Sequence, residues 1–159
     1  MPAKSPFLLA AAAALVAAAP AQAVIVPGRS MAGVRLGMSQ ERVLEILGDP
    51  DTDFTYRSGL TTYAYKSLRL RVTFSPGRTT NNVFMLFTSG RRERTKQGIG
   101  VGSKESTLRH RLRGEHCGNF PDGRFCLLGG GAEGTTPETQ FKINRRHRVA
   151  SVRILQNDF

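Results

Sequence analysis

Two parts of the chain repeat the same order of apolar residues, glycine and serine. Each part begins with a short apolar stretch, continues through a glycine and a serine that can cap a helix, and then reads as about three turns of helix. Later segments also match in the same order, 65 to 67 residues apart. The matched segments are 34–43 with 99–108, 72–74 with 139–141, and 83–88 with 149–154. The nearly constant spacing indicates a duplication and therefore two structural units of one kind.

Each unit is predicted to contain a helix followed by antiparallel strands. In the first unit, Val43, Ile46 and Leu47 form one apolar helix face, and the stretch 48–50 ends the helix. The stretch 68–74 alternates apolar and polar residues, which is typical of a half-buried strand. The other predicted elements are strands at 82–87, 124–128, 138–143 and 148–155 and a second helix at 103–112. The expected fold class is α+β, with two tandem helix-plus-antiparallel-sheet repeats and the helices on one face of the sheets.

The first 23 residues have the features of a secretory signal peptide. A single lysine, Lys4, precedes an uninterrupted apolar run, and the segment ends in small residues before a cleavage point near Ala23. An uncleaved membrane anchor is the alternative, but the apolar run is short for a span. The predicted division is a signal peptide at 1–23, an N-terminal segment at 24–32, repeat 1 at 33–89, a basic linker at 90–97 and repeat 2 at 98–159. The mature chain is expected to be extracellular or periplasmic, without a transmembrane span.

The chain has two cysteines, Cys117 and Cys126. An even number of cysteines in an exported chain favours a disulfide. Pro121, Asp122 and Gly123 lie between them and form a strong turn signal, so a hairpin would bring the two cysteines within bonding range. A metal site that includes His116 is the alternative, but its spacing does not match that of zinc ligands.

The start of the first unit resembles a known family. The stretch 37–50 has the pattern G-M-S-x-x-x-V-x-x-x-L-G-x-P, which is similar to the opening of the SmpA/OmlA (BamE) outer-membrane assembly lipoproteins. Tandem copies, one of them holding a disulfide, resemble the beta-lactamase-inhibitory-protein (BLIP) fold. The resemblance implies helices packed on one side of an antiparallel sheet and an open side that binds another protein. The lipoprotein cysteine of the first family is missing, and no inhibitory residues of the second can be transferred.

No motif in the chain indicates a reaction. The glycine-rich stretch 98–104 lacks the arrangement of a phosphate-binding loop, because Ser103 precedes the lysine and Glu105 follows it. The run of Asp49, Asp51 and Asp53 begins like a calcium loop but lacks the glycine and the glutamate that complete one. We therefore expect no enzymatic activity, no catalytic residue, no cofactor and no metal.

Charge and strand alternation together suggest a binding surface. The formal net charge is +11, which favours an anionic partner. Alternation places Arg69, Arg71, Lys142 and Arg153 on the solvent side of the sheets. The stretch 83–87 is apolar on both sides, so either Phe84 and Leu86 or the set of Val83, Met85 and Phe87 adds apolar surface there.

The predicted partner-binding residues are Arg69, Arg71, Phe84, Lys142 and Arg153. The expected partner is a protein with an acidic surface or, alternatively, an anionic envelope polymer that holds a structural module by charge. No aromatic and basic residues are interleaved as in nucleic-acid binding proteins, so no specific nucleic-acid partner is expected. Charged residues are also ordinary on the solvated side of a sheet, which is the simplest alternative explanation of the pattern.

Overall fold

The computed structural model of the chain describes residues 24–77, 81–130 and 136–156. The predicted signal peptide at 1–23 lies outside these residues. Within them the chain forms two short helices, α1 (Gln40–Leu47) and α2 (Glu105–Arg111). The strands are β1 (Val24–Ile25), β2 (Ser30–Met31), β3 (Val34–Arg35), β4 (Thr52–Thr55), β5 (Thr61–Tyr65), β6 (Leu70–Ser75), β7 (Asn82–Thr88), β8 (Arg94–Thr95), β9 (Glu115–Phe120), β10 (Gly123–Gly129), β11 (Glu138–Ile143) and β12 (Val149–Leu155).

Eight of these strands form one continuous antiparallel sheet. Their order across the sheet is β4-β5-β6-β7-β12-β11-β10-β9. Four strands follow α1 in the chain and four follow α2, and the two sets meet where β7 pairs with β12. The predicted fold class of two helix-plus-sheet repeats is therefore wrong, because the protein is mostly β and the strands that follow the two helices form a single eight-stranded sheet. Joining the two sets removes two of the four exposed edges that separate sheets would have.

The core lies on one face of this sheet. Alternate residues of the central strands are fully buried there, including Val72, Phe74, Leu86, Phe141 and Val152. Each helix adds a fully buried side chain to the same core, Val43 from α1 and Leu108 from α2. The buried side was predicted correctly at Val72, Phe74, Phe141 and Val152 and at the helix positions Val43 and Leu108, because local periodicity determines which side of an element is buried. The prediction left open on which side Leu86 lies.

The two helices begin differently. Ser39 caps α1, and its Oγ accepts a hydrogen bond from the backbone N–H of Arg42 at 3.4 Å. Lys104 occupies the equivalent position before α2 and makes no side-chain cap. Ser103 instead accepts from the N–H of Gly100 at 3.1 Å, so its hydroxyl supports the preceding turn.

Among the described residues, neither helix is long and apolar enough to cross a membrane.

The predicted disulfide is confirmed. Cys117 on β9 and Cys126 on β10 are directly opposed in the hairpin, with their Cα atoms 4.0 Å apart and their sulfurs bonded at 2.03 Å. Cys126 is fully buried in the core. The bond therefore ties an edge strand, β9, to the interior of the sheet.

Replacing both cysteines by alanine is expected to lower the free energy of unfolding by about 2–3 kcal/mol, because the unfolded chain loses a closed loop of short length. Urea denaturation of the oxidised protein and of the double variant measures this change. The reduced wild-type protein is the matched control and should show the same loss. If the reduced and oxidised proteins unfold at the same urea concentration, the disulfide does not stabilise the fold.

Candidate binding face

The face of the sheet opposite the core carries a row of side chains that crosses all eight strands. We call this side the open face. Cα pairing places one residue from each strand in register along this row. The residues of the row are, in order, Thr52, Ala64, Arg71, Phe87, Arg153, Gln140, Leu127 and His116. At the usual spacing of strands the row is ~34 Å long, which is the width of a protein-binding surface.

The best-defined contact in the row joins Arg71 and Phe87. The guanidinium carbon of Arg71 lies 4.3 Å from the centre of the Phe87 ring. The two residues are paired across β6 and β7, and Arg71 is exposed to solvent. A cation over a ring face is attracted by the electrons of the ring, a contact worth about 0.5–1 kcal/mol at an exposed site. The ring therefore holds the charge of Arg71 in one position without neutralising it.

A second cation is held by an amide. Arg153 on β12 donates from Nε to the Oε1 of Gln140 on β11 at 3.0 Å, and its Nη2 donates to the same oxygen. Gln140 in turn donates from its Nε2 to Glu138. Because the amide is neutral, Arg153 is oriented but keeps its full charge.

A third cation lies in the neighbouring row. The ammonium nitrogen of Lys142 lies 5.7 Å from the centre of the Phe125 ring, and Phe125 packs edge-on against Phe120 at 6.0 Å between ring centres. Arg153, Lys142, Phe87 and Phe125 surround a shallow groove of about 240 Å³ with Asp122 at its margin. The open face therefore combines fixed positive charges with partly exposed rings.

The structure brings three of the predicted partner-binding residues together and separates two. Arg71, Lys142 and Arg153 share the open face. Arg69 does not, because the strand begins at Leu70 and Arg69 occupies the preceding turn with a left-handed φ of 51°. Phe84 is the extra residue of a bulge in β7, since Phe74 pairs with Val83 and Thr73 with Met85. The bulge shifts the alternation, so that Phe87 is the aromatic residue on the open face.

The sequence reasoning missed two contributors to this face, Phe87 and Phe125. Phe87 belonged to the alternative set at 83–87, and the bulge that decides between the sets has no clear local signal. Phe125 alternates with the buried Cys126, so strand periodicity could have placed it on the open face. The alternation that predicts Phe141 in the core also predicts Gln140 on the solvent side, where the structure places it. The contacts of Phe125 and Gln140 with Lys142 and Arg153 depend on cross-strand register, which the periodicity does not provide.

A buried carboxylate lies on the other side of the sheet. Glu105, the first residue of α2, is buried and accepts hydrogen bonds from the Nε of Arg124 at 3.0 and 3.1 Å and contacts the Nδ1 of His147 at 3.0 Å. The hydrogen bonds from Arg124 lower the pKa of Glu105 from 4.5 to about 2, and those from His147 act in the same direction. The same ion pair raises the pKa of Arg124. These contacts connect α2 with β10 and with the turn that precedes β12.

Glu105 also lies within 4.8 Å of the two cysteine sulfurs. The sulfurs are bonded to each other and offer no thiolate, so this group of three lacks the ligands that a structural metal site requires. The chemistry of the cluster is that of an ion pair that positions a helix.

Comparison with known proteins shows similarity of fold alone. No protein-family model and no curated protein matches the chain. A DUF4309 family protein (YjgB) from Bacillus subtilis subsp. subtilis str. 168 is similar with a TM-score of 0.53 and 13% identity, over 81% of this chain and 88% of that protein. An extracellular protein containing an SCP domain from Bacillus anthracis str. Ames is similar with a TM-score of 0.50 and 15% identity, over 76% of this chain.

A cysteine-rich secretory protein from Staphylococcus aureus subsp. aureus Mu50 is also similar, with a TM-score of 0.49 and 14% identity over 76% of this chain. The chain spans 44% of the length of this protein and of the one from B. anthracis. The fold similarity to the proteins from B. subtilis and B. anthracis and the single eight-stranded sheet overturn the predicted relation to the SmpA/OmlA (BamE) and BLIP-like tandem-repeat proteins. The motif at 37–50 describes a capped helix that ends in glycine and proline, which many folds contain.

Proposed function

We propose that this protein is an exported binding module that recognises a protein with an acidic surface through its open face and catalyses no reaction. The observation that carries the proposal is the stacking of Arg71 on Phe87, 4.3 Å apart, in a row that also holds Arg153. Arginine and aromatic residues contribute most of the binding energy in many protein interfaces. A cation already held in position loses less conformational entropy when it binds.

Export is part of the same proposal. The first 23 residues have the order of a signal peptide, and the described part of the chain contains a disulfide, which persists in oxidising compartments. We propose that cleavage occurs near Ala23 and that the mature protein works outside the cytoplasm. The open face then meets its partner in the extracellular or periplasmic space.

The first experiment is capture with the oxidised protein that begins at Val24, applied to culture filtrate and envelope extract at low and high salt. Salt screens exposed charges, so binding by charge alone should disappear at about 0.3 M salt. We expect an acidic protein to remain bound at that concentration. Retention only at low salt, or only by wall and lipid fractions, would contradict a specific protein partner and favour attachment to an anionic envelope polymer.

Charge reversal on the open face tests the assigned surface. The double variant Arg71→Glu with Arg153→Glu is expected to weaken binding of the captured and purified protein at least about tenfold, because two oriented cations become repulsive. Arg35→Glu with Arg92→Glu is the matched control, since it changes the net charge by the same amount and both arginines are exposed outside the eight-stranded sheet. Titration calorimetry compares the three proteins. Equal losses in both variants would show that net charge, and not the open face, determines binding.

A further inference from the structure

A second basic region lies where β7 and β12 separate. The two strands pair from Met85 with Leu155 to Thr88 with Val152, but β12 begins three residues earlier, at Val149. Beyond Thr88 the chain turns away from β12 and leaves a cleft of about 1010 Å³. Five arginines from three separate segments line this cleft, namely Arg69, Arg91, Arg94, Arg146 and Arg148.

Two of the guanidinium groups are held by backbone carbonyls. Arg148 donates from Nη1 to the carbonyl of Gly102 at 2.8 Å. Arg94 donates from Nη1 to the carbonyl of Gly98 at 3.0 Å and to the Oγ of Ser103 at 3.3 Å. These acceptors are neutral, so the guanidinium groups are fixed at the cleft while their charge remains available to a ligand.

Backbone hydrogen bonds also restrain the turns that carry Arg69, Arg146 and Arg148. The carbonyl of Arg69 accepts from the N–H of Ser89 at 3.1 Å and from the Oγ1 of Thr88 at 3.2 Å. The Oδ1 of Asn144 accepts from the N–H groups of Arg146 at 2.9 Å and of Arg148 at 3.1 Å. The turns that carry three of the arginines are thus held in defined conformations next to the cleft.

The positive charges of the cleft are not neutralised by acidic neighbours. No residue among its described lining is Asp or Glu, and none of the four ion pairs of the described chain includes one of the five arginines. Glu93, which is 1% exposed and accepts a hydrogen bond from Thr88, is not part of this lining. Like charges gathered at a concave surface repel each other and concentrate anions.

We propose that this cleft binds a ligand that carries several phosphate groups on one chain. The planar guanidinium fork matches two oxygens of a phosphate and forms two charge-assisted hydrogen bonds with it. One phosphate can engage one or two of the arginines, whereas five arginines around about 1010 Å³ match a longer, multiply charged ligand. The site goes beyond the proposed protein-binding function, because it uses a different surface and different residues from the open face.

The test uses the oxidised protein from Val24 and inorganic tripolyphosphate, with binding measured by titration calorimetry at about 0.15 M salt. We expect tripolyphosphate to bind at least about tenfold more tightly than orthophosphate or sulfate, because it engages several guanidinium groups at once. Equal affinity for tripolyphosphate and orthophosphate would overturn the proposal of a multiple-phosphate ligand. No measurable binding of either would overturn the site itself.

Substitutions then locate the site. The first double variant is Arg69→Gln with Arg91→Gln. Arg94 and Arg148 are left unchanged, because their guanidinium hydrogen bonds also support the local backbone. We expect it to weaken tripolyphosphate binding about tenfold or more. Arg71→Gln with Arg153→Gln removes the same charge from the open face and should leave the affinity within about twofold. Equal losses in both variants would show unspecific attraction, and urea denaturation of each confirms that the fold is intact.

Discussion

Replacing Glu105 by glutamine is expected to lower the free energy of unfolding by about 3 kcal/mol at neutral pH. The carboxylate is buried, with 7% of its side chain exposed, and lies between Arg124 and His147. Its pKa of about 2, against an ordinary value of 4.5, corresponds to a free energy of this size. The neutral amide cannot replace the charge between the two basic groups.

The contribution of Glu105 to the free energy of unfolding should decrease as the pH falls. The pKa of Glu105 is lowered in the folded protein, so its contribution to stability is complete above pH 4.5 and is lost as the pH falls towards 2. The stability of the wild-type protein should therefore decrease between pH 4.5 and 2 more steeply than that of Glu105→Gln. Urea denaturation at a series of pH values measures both slopes.

Glu45→Gln is the matched control for this experiment. Glu45 pairs with Arg42 on α1, but both side chains are about 60% exposed. An exposed pair contributes little because water and salt screen it, so the expected change is below about 0.5 kcal/mol. If Glu105→Gln behaves like Glu45→Gln, the buried cluster does not stabilise the position of α2.

Local chemistry explains which parts of this fold could be predicted. The alternation at 138–143 placed Phe141 and Ile143 in the core, and both are buried. The turn signal between Cys117 and Cys126 correctly indicated a hairpin and a disulfide. Such features depend on residues within a few positions of each other, so a single sequence contains the information that determines them.

The parts of the fold that could not be predicted depend on pairing between residues far apart in the chain. Similar segments at a constant spacing suggested two separate sheets, but the backbone groups of β7 and β12 satisfy each other across one continuous sheet. The contact of Arg71 with Phe87 depends on the register of β6 and β7 and on the bulge at Phe84. The cleft likewise gathers arginines from Arg69 to Arg148, and no local pattern connects residues so far apart in the chain.

A matched pair of phenylalanine substitutions separates the two faces of the sheet. Phe74 on β6 is fully buried and packs edge-on against Tyr63, with the ring centres 5.0 Å apart. Phe74→Ala is expected to cost about 3–5 kcal/mol, because it removes a large buried ring and leaves a cavity. Phe87 on the adjacent strand is only partly buried on the open face, so Phe87→Ala should cost much less stability.

The effects of the two substitutions on partner binding should follow the opposite order from their effects on stability. Phe87→Ala removes the ring that positions Arg71, so we expect the affinity for the acidic partner to fall about tenfold. The urea concentration at the unfolding midpoint should change little. Phe74→Ala should bind normally under conditions in which it remains folded, because its side chain does not reach the open face. Calorimetry and urea denaturation of both variants make the comparison. If Phe87→Ala loses stability as Phe74→Ala does and keeps its affinity, Phe87 is a structural residue and the partner binds elsewhere.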